Sequence, residues 1–250
     1  MNKKILISLS VIGIVATLAI GGTTAYFSDI ETATGNTFTA GSIDLKVDNA
    51  CHYMGGNCPW ATSTWALTDL QDGIHKFFNF TDIKPGAWGE DTISLHLYDN
   101  PAWAWLKIDN VANQENGCTE PEGDVDTTCG DPGTGEGELY QNLHFLIWMD
   151  NDGDNVYDAG ERKLHDGETL DLCEVWRLDG APCCDIEPFT PCSDYYVGVK
   201  WCLGTFDVDY DCQGTSIGNE AQTDGVNLDV SFTVVQSQNN LGAEGGPTCP

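Results

Sequence analysis

A run of acidic residues between Asp150 and Glu161 has the spacing of a calcium-binding loop. Acidic side chains fall at loop positions 1, 3, 5, 9 and 12, and position 7 would contribute its backbone carbonyl. Ca²⁺ takes about six to eight oxygen ligands, so a loop that turns back at every second residue could direct six oxygens to one point. The predicted ligands of this structural Ca²⁺ are Asp150, Asp152, Asp154, the carbonyl of Val156, Asp158 and Glu161.

Two neighbouring features modify this interpretation. Asn155 holds loop position 6, where the helical version of this loop prefers glycine, and asparagine tolerates a left-handed backbone better than most residues. The apolar stretch from Leu143 to Met149 before the loop has the character of a strand. We therefore expect an EF-like loop between strands, with a structural role. The alternative is an acidic hairpin turn that binds no metal.

No other motif predicts catalysis. The five histidines at 52, 75, 96, 144 and 165 are scattered, and the sequence contains neither a His-Glu-x-x-His pair nor a Gly-x-Ser-x-Gly motif. Because the chain has 39 acidic residues, carboxylate pairs are expected by chance and do not indicate a glycosidase. We assign no catalytic residue and expect no enzyme activity.

The charge of the chain excludes several classes of partner. The formal net charge is −29, and removal of residues 1–25 would leave 8 basic residues against 39 acidic ones, a charge of −31. Such a chain repels nucleic acid and anionic lipid. Hydrophobic residues nevertheless make up 41% of the sequence, which is enough for a sizeable core.

The first residues have the layout of a secretory signal. Lys3 and Lys4 precede an uncharged apolar run from Ile5 to Ile20, and small residues lead to a cleavage point after Ala25. The run is shorter than the roughly 20 residues that a membrane span needs, so cleavage is favoured over a retained anchor. We therefore predict a signal peptide over residues 1–25, a secreted product, and membrane contact only before cleavage.

Eleven cysteines follow the signal and predict an oxidised set of disulfides. Short separations favour pairing of Cys51 with Cys58, Cys118 with Cys129, and Cys202 with Cys212. The adjacent Cys183 and Cys184 are expected to take different partners. Since the count is odd, one thiol remains, and the predicted candidate is Cys249.

Short alternating segments predict an all-β domain over residues 41–237. Apolar residues alternate with polar ones over Ile43–Val47, Ile93–Leu97 and Val226–Val234, while Phe77–Phe80 and Tyr195–Leu203 are apolar on both faces. Two antiparallel sheets packed face to face, as in a jelly roll, would cover these faces. Cysteines would staple the long loop insertions, and residues 238–250 would form a loose tail.

Three stretches resemble the TasA/camelysin family. They are the junction AYFSDIETATGNTFTAGSIDLKV, the Lys84-Pro85-Gly86 turn between strands, and the late strand ending FTVVQSQNN. The resemblance covers about half of the chain and is absent from the cysteine loops and the acidic loop.

This resemblance implies a fibre subunit of the biofilm matrix, released by a SipW-type signal peptidase. Residues 26–40 would be a donor strand that inserts into the next copy of the chain, so the partner is the protein itself. Tyr26, Phe27 and Phe38 could fill apolar pockets while the backbone adds a strand. The alternatives are a camelysin-like secreted metallopeptidase and a monomeric module that binds a glycan or a cell surface.

Overall fold

The structure is a computed structural model that describes residues 42–59, 62–129, 133–179, 187–215, 217–238, 240 and 246–249. The predicted signal peptide (1–25) and donor segment (26–40) lie outside the described residues.

The described chain consists mainly of β-strands. The strands are β1 (Asp44–Tyr53), β2 (Gly56–Asn57), β3 (Trp65–Thr68), β4 (Trp88–Tyr98), β5 (Ala102–Glu115), β6 (Gly133–Thr134), β7 (Leu143–Asp150), β8 (Arg162–Asp166), β9 (Glu174–Arg177), β10 (Asp194–Leu203), β11 (Thr205–Phe206), β12 (Cys212–Gln213) and β13 (Gly225–Gln236). One α-helical turn, α1 (Glu120–Gly123), and one 3₁₀ turn, Leu139–Asn142, interrupt them. Within the described ranges, no helix has the length and apolar character needed to cross a membrane.

Two antiparallel sheets account for the long strands. The first has the order β2-β1-β4-β10-β7-β8, with β3 also paired to β1. The second has β5 at its centre, with β13 along one edge and both β9 and β6 along the other. The all-β class and its antiparallel sheets are confirmed.

A single hydrophobic core joins the two sheets. Ile93, Leu95 and Leu97 of β4 are each 1% exposed, and they share one cluster with Leu106 and Ile108 of β5. The alternation of apolar and polar residues therefore places one face of each strand in the core, as its period of two requires.

The predicted turn at Lys84-Pro85-Gly86 is confirmed. The Ala87 amide donates to the Lys84 carbonyl at 2.7 Å, and Gly86 has φ of 86°. Proline at the first corner and glycine with positive φ at the second are the features of a type II turn. The turn delivers the chain into β4.

The apolar segment Phe77–Phe80 does not form the expected strand. It is a loop whose rings cover the core, with Phe77 packed edge-on against Phe232 at 5.9 Å and Phe80 against Trp201 at 4.5 Å. Periodicity cannot distinguish a run that is apolar throughout from a strand, so this prediction was wrong.

Four disulfides connect described residues. The pairs Cys51–Cys58, Cys118–Cys129 and Cys202–Cys212 are confirmed. The prediction of a free Cys249 was wrong, because Cys249 bonds to Cys173 across 76 residues. The described cysteine without a bond is Cys192, which is exposed, whereas Cys183 and Cys184 lie outside the described residues.

The disulfide changes the description of the predicted tail 238–250. Cys249 is fixed to Cys173, and the carbonyl of Asn240 accepts a hydrogen bond from the Trp103 indole at 2.9 Å. Spacing could not predict this bond, since the partners are distant in sequence and meet only when the second sheet forms. The described residues of the segment are therefore anchored to the second sheet.

Gly198 in β10 provides a test of the packing between neighbouring strands. A Cβ atom at this position would lie 2.2 Å from the Trp148 ring. Because the ring is rigid and 1% exposed, we expect Gly198→Ala to lower the free energy of unfolding by about 1–3 kcal/mol in denaturant titrations. Gly56→Ala is the control, since its nearest atom is 3.8 Å away, and equal losses in both variants would contradict this interpretation.

Candidate metal centre

The predicted calcium loop connects β7 to β8. Strand β7 ends at Asp150 and β8 begins at Arg162, so the twelve loop positions span the connection between two antiparallel neighbours. The expectation of a strand before the loop is confirmed. The paired strands hold the two ends of the loop together.

Asp150 organises the first half of the loop. Its side chain belongs to a residue that is only 2% exposed, and its two carboxylate oxygens accept different backbone amides. The Gly153 amide donates to Oδ1 at 2.7 Å and the Asn155 amide donates to Oδ2 at 2.9 Å. These charge-assisted bonds fold the loop around the carboxylate at position 1.

Glu161 closes the second half of the loop in the same way. Its Oε1 accepts the Asn151 amide at 2.7 Å, and its Oε2 accepts the Asp158 amide at 3.0 Å. The last predicted ligand is therefore bonded to residues near both ends of the loop.

Three of the six predicted ligands converge. Asp150, Asp152 and Glu161 each have a carboxylate oxygen within 4.8 Å of the others. Two oxygens that bind one Ca²⁺ at about 2.3–2.6 Å can be at most about 5 Å apart, so this spacing is suited to a shared calcium ion.

The carboxylates of Asp154 and Asp158 are not in this group, and the remaining predicted ligand is the backbone carbonyl of Val156. Asp154 accepts the Val156 amide at 2.8 Å, the side chain of Val156 is 57% exposed, and Asp158 is also exposed. Repulsion between like charges disfavours bringing five carboxylates to one point, which accounts for this more open arrangement.

The backbone adopts the predicted left-handed conformation at Asn155, with φ of 62°. Gly153 is also left-handed, with φ of 74°. These two positions reverse the chain around Asp150, so the loop turns without glycine at position 6.

Basic residues near the loop are bonded elsewhere. Arg162 donates to the carbonyls of Arg177 and Leu178 at 2.9 and 2.7 Å. Lys163 lies over the rings of Tyr157 and Tyr210 and forms an ion pair with Asp166. None of the ion pairs of the described chain places a basic side chain on a predicted ligand of the loop. Hydrogen bonding to Tyr210, in spite of burial, raises the pKa of Lys163.

Two histidines of the described chain are paired with carboxylates. His96 lies between Asp48 at 2.9 Å and Asp194 at 2.7 Å. Burial acts against the charged form of His165, but hydrogen bonds to Glu174 and to the Glu168 carbonyl raise its pKa. Among the described residues, the groups with metal-ligand geometry contain carboxylates and cysteines but no histidine.

Sequence reasoning missed a second group of carboxylates around Glu115. Four of its members come from the acidic stretch between 115 and 138, but the fifth is Asp224, which is far away in the sequence. The signal in the sequence was only the acidic composition of residues 112–138. The strand pairing of β13 with β5 brings these segments together.

Comparison with protein families confirms the resemblance for the junction near the start of the sequence. Residues 1–52 match the family model described as camelysin metallo-endopeptidase, which supports the TasA/camelysin relationship. The match covers the predicted signal, the predicted donor segment and most of β1. A comparison with curated proteins finds no match to the chain.

The conformation of Asn155 leads to a prediction for loop stability. Asn155→Val should lower the free energy of unfolding by about 1–2 kcal/mol, because a β-branched residue tolerates left-handed backbone poorly, whereas Asn155→Gly should not. Chemical denaturation in the presence of a chelator would measure both. Asn151→Val, at an exposed loop position without positive φ, is the control, and an equal loss there would contradict the assigned role of φ.

Proposed function

We propose that the protein is a secreted structural subunit that assembles into extracellular filaments. Residues 26–40 of one copy would add as a strand to the second sheet of the next copy. The observation that carries this proposal is the open, half-covered edge of β13. The loop at Asp150 would bind calcium and brace the fold.

The apolar row of β13 is less covered than its counterparts. Val226, Leu228, Val230, Phe232 and Val234 pack against the core but all remain partly exposed. The corresponding residues of β4 are 1% exposed. The side of the core beneath β13 therefore has apolar surface that a further strand could bury. Burial would contribute roughly 25 cal/mol of free energy for each Å² of apolar surface removed from water.

The backbone of β13 also offers hydrogen-bonding groups. One edge pairs with β5 over the length of the strand, and no described strand pairs with the other edge. Such an edge is a template for strand addition, in which main-chain bonds supply affinity and side-chain pockets supply specificity.

The segment proposed as the donor has the matching properties. Residues 26–40 contain Tyr26, Phe27 and Phe38 among many polar residues, and they lie inside the family match. In the sequence they lead into β1, which belongs to the first sheet, whereas the acceptor edge belongs to the second sheet. Donor and acceptor are different surfaces, so the contact is head-to-tail and can repeat from copy to copy along a filament.

A structural calcium ion in the Asp150 loop is supported by the converging carboxylates. Asp150, Asp152 and Glu161 have the required spacing, and no described basic side chain neutralises them. A cation there would reduce the repulsion between these groups and hold β7 beside β8.

The description of the matched family favours a second candidate function, a secreted metallopeptidase. A zinc peptidase needs a ligand set with an open coordination position, which most often includes histidine. The carboxylate groups of the described chain are better suited to calcium than to zinc. The structural role is therefore the stronger proposal.

Removal of the proposed donor should prevent filament formation. Mature protein that begins at Tyr26 should form filaments in negative-stain microscopy, while protein lacking residues 26–40 should remain monomeric. A synthetic 26–40 peptide should bind the truncated protein and block growth of the mature protein. Filaments from the truncated protein would contradict the proposal. Monomeric mature protein with glycan affinity, or chelator-sensitive casein cleavage, would favour the alternatives.

Substitution in the acceptor row should have the same effect as donor removal. Leu228→Lys places a charge under the incoming strand and should abolish peptide binding and filaments, because its ammonium group would lose water on burial. The control is Asn227→Lys, which adds the same charge on the exposed face of β13. Equal assembly of both variants would show that the edge of β13 is not the acceptor.

Calcium should stabilise the folded chain through the Asp150 loop. When the free calcium concentration is a hundredfold above the dissociation constant, one occupied site adds about 2.7 kcal/mol to the free energy of unfolding. Asp152→Asn should reduce the calcium-dependent rise in melting temperature, whereas Asp72→Asn, an exposed acid elsewhere, should not. A full calcium response in Asp152→Asn would show that the loop is an ordinary turn.

A further inference from the structure

Five carboxylates meet at the end of β5, away from the Asp150 loop. Glu115 is the last residue of β5, Glu122 lies on α1, and Asp224 precedes β13. Glu115, Asp126 and Glu138 have carboxylate oxygens within 4.8 Å of one another, and so do Glu115, Glu122 and Asp224. Glu115 belongs to both groups and lies where they join.

The carboxylates of this cluster are buried and incompletely bonded. Glu115 is 2% exposed and Glu122 is fully buried. Four buried oxygens accept no hydrogen bond from the described chain: Glu115 Oε2, Asp126 Oδ2, Glu138 Oε2 and Asp224 Oδ1. Leaving a buried charged oxygen without a partner is costly, so four in one place indicate a missing partner.

The remaining oxygens show that the cluster is fixed in position. Asp224 Oδ2 accepts the amides of Glu138 and Leu139, and Glu115 Oε1 accepts the Gly117 amide at 3.2 Å. Glu122 Oε2 accepts the Thr119 amide at 2.9 Å. Asp224, Glu115 and Glu122 each use one oxygen to hold the fold, while the second oxygens of Asp224 and Glu115 have no partner.

The disulfide Cys118–Cys129 holds the loop that contributes Glu122 and Asp126. Thr119 Oγ1 donates to Gln222 at 2.8 Å, and Thr223 Oγ1 donates to Glu122 at 3.1 Å. These bonds fasten the loop to the segment before β13. The cluster is thus assembled on a covalently restrained loop and two strand ends.

No cationic side chain of the described chain forms an ion pair with these five residues. Burial, together with the charges of Asp126 and Asp224, raises the pKa of Glu138 to about 7. Burial also raises the pKa of Glu115 and of Asp224. Because the ionised carboxylates of each group lie within 4.8 Å of one another and have no cationic side chain beside them, a positive charge between them would reduce their repulsion.

We propose that Glu115, Glu122, Asp126, Glu138 and Asp224 form a second calcium site. Within each of the two groups that share Glu115, the oxygens lie within 4.8 Å of one another, and such oxygen-only ligands suit a hard divalent cation that takes about six to eight oxygens. Glu115 would be the ligand shared between the two sides of the site. Because Asp224 immediately precedes β13, the bound ion would fix the start of that strand.

A chain with a disabled Asp150 loop isolates this site. The double variant Asp152→Asn and Glu161→Gln of the mature protein is first freed of metal with a chelator and then titrated with calcium chloride. Native mass spectrometry should count at least one bound Ca²⁺ per chain, and the melting temperature should rise. Hydrogen exchange within residues 112–138 should slow on addition of Ca²⁺.

Glu138→Gln in this background tests the ligands. The substitution removes one repulsive charge and keeps the side-chain volume, so the chelated protein should melt at the same or a higher temperature. Its affinity for Ca²⁺ should fall at least about tenfold, because affinity depends on the number of charged ligands. A merely destabilising substitution would instead lower the melting temperature of the chelated form.

Glu136→Gln is the matched control, since it removes an exposed charge from the same insertion and should leave binding unchanged. Two results would overturn the proposal. One is that the loop-disabled chain binds no calcium at about 10 mM, a concentration about tenfold above the dissociation constants of the weakest extracellular sites. Protons would then be the compensating charge. The other is equal calcium affinity of the Glu138→Gln and Glu136→Gln chains. Either result would leave the filament proposal untouched.

Discussion

The fold must bring many carboxylates close together although the chain has few basic side chains. The ion pairs of the described chain are mostly local, such as Lys46 with Asp44 and Arg177 with Asp179. The converging carboxylates are instead held by backbone amides, as at Asp150 and Asp224. Amide bonds stabilise each carboxylate singly and do not cancel repulsion between neighbours. A bound cation, as proposed for both acidic groups, would cancel this repulsion.

The two sheets are unequal, and their difference locates the proposed assembly surface. The first sheet covers its face of the core with residues such as Ile93 and Val197 that are almost fully buried. The second has only two long strands, and the inward row of β13 remains partly exposed. Polar residues on the outer face, including Asn227 and Asp229, limit unspecific pairing at the open edge. Two copies with acidic surfaces repel each other, so assembly at this edge would depend on the insertion of one specific strand and not on nonspecific adhesion.

The sequence predicted what local pattern determines. Alternation located β4 and β13, and spacing found three disulfides. The loop positions predicted six converging ligands, of which Asp150, Asp152 and Glu161 form one group. What it could not predict depends on tertiary contact. Strand β9 forms through its pairing with β5, a tertiary contact that local pattern does not specify. The Cys173–Cys249 bond and the meeting of Asp224 with Glu115 join residues distant in sequence, so no spacing rule finds them.

The bond between Cys173 and Cys249 has a mechanical consequence. Cys173 immediately precedes β9, while Cys249 follows β13, and both strands flank β5. The covalent link thus connects the two strands that pair with opposite edges of β5. Tension applied to β13 passes through the tail to the chain beside β9, so the three strands bear the load together. A subunit in a stretched filament would then yield at the non-covalent contact between copies before its own sheet unravelled.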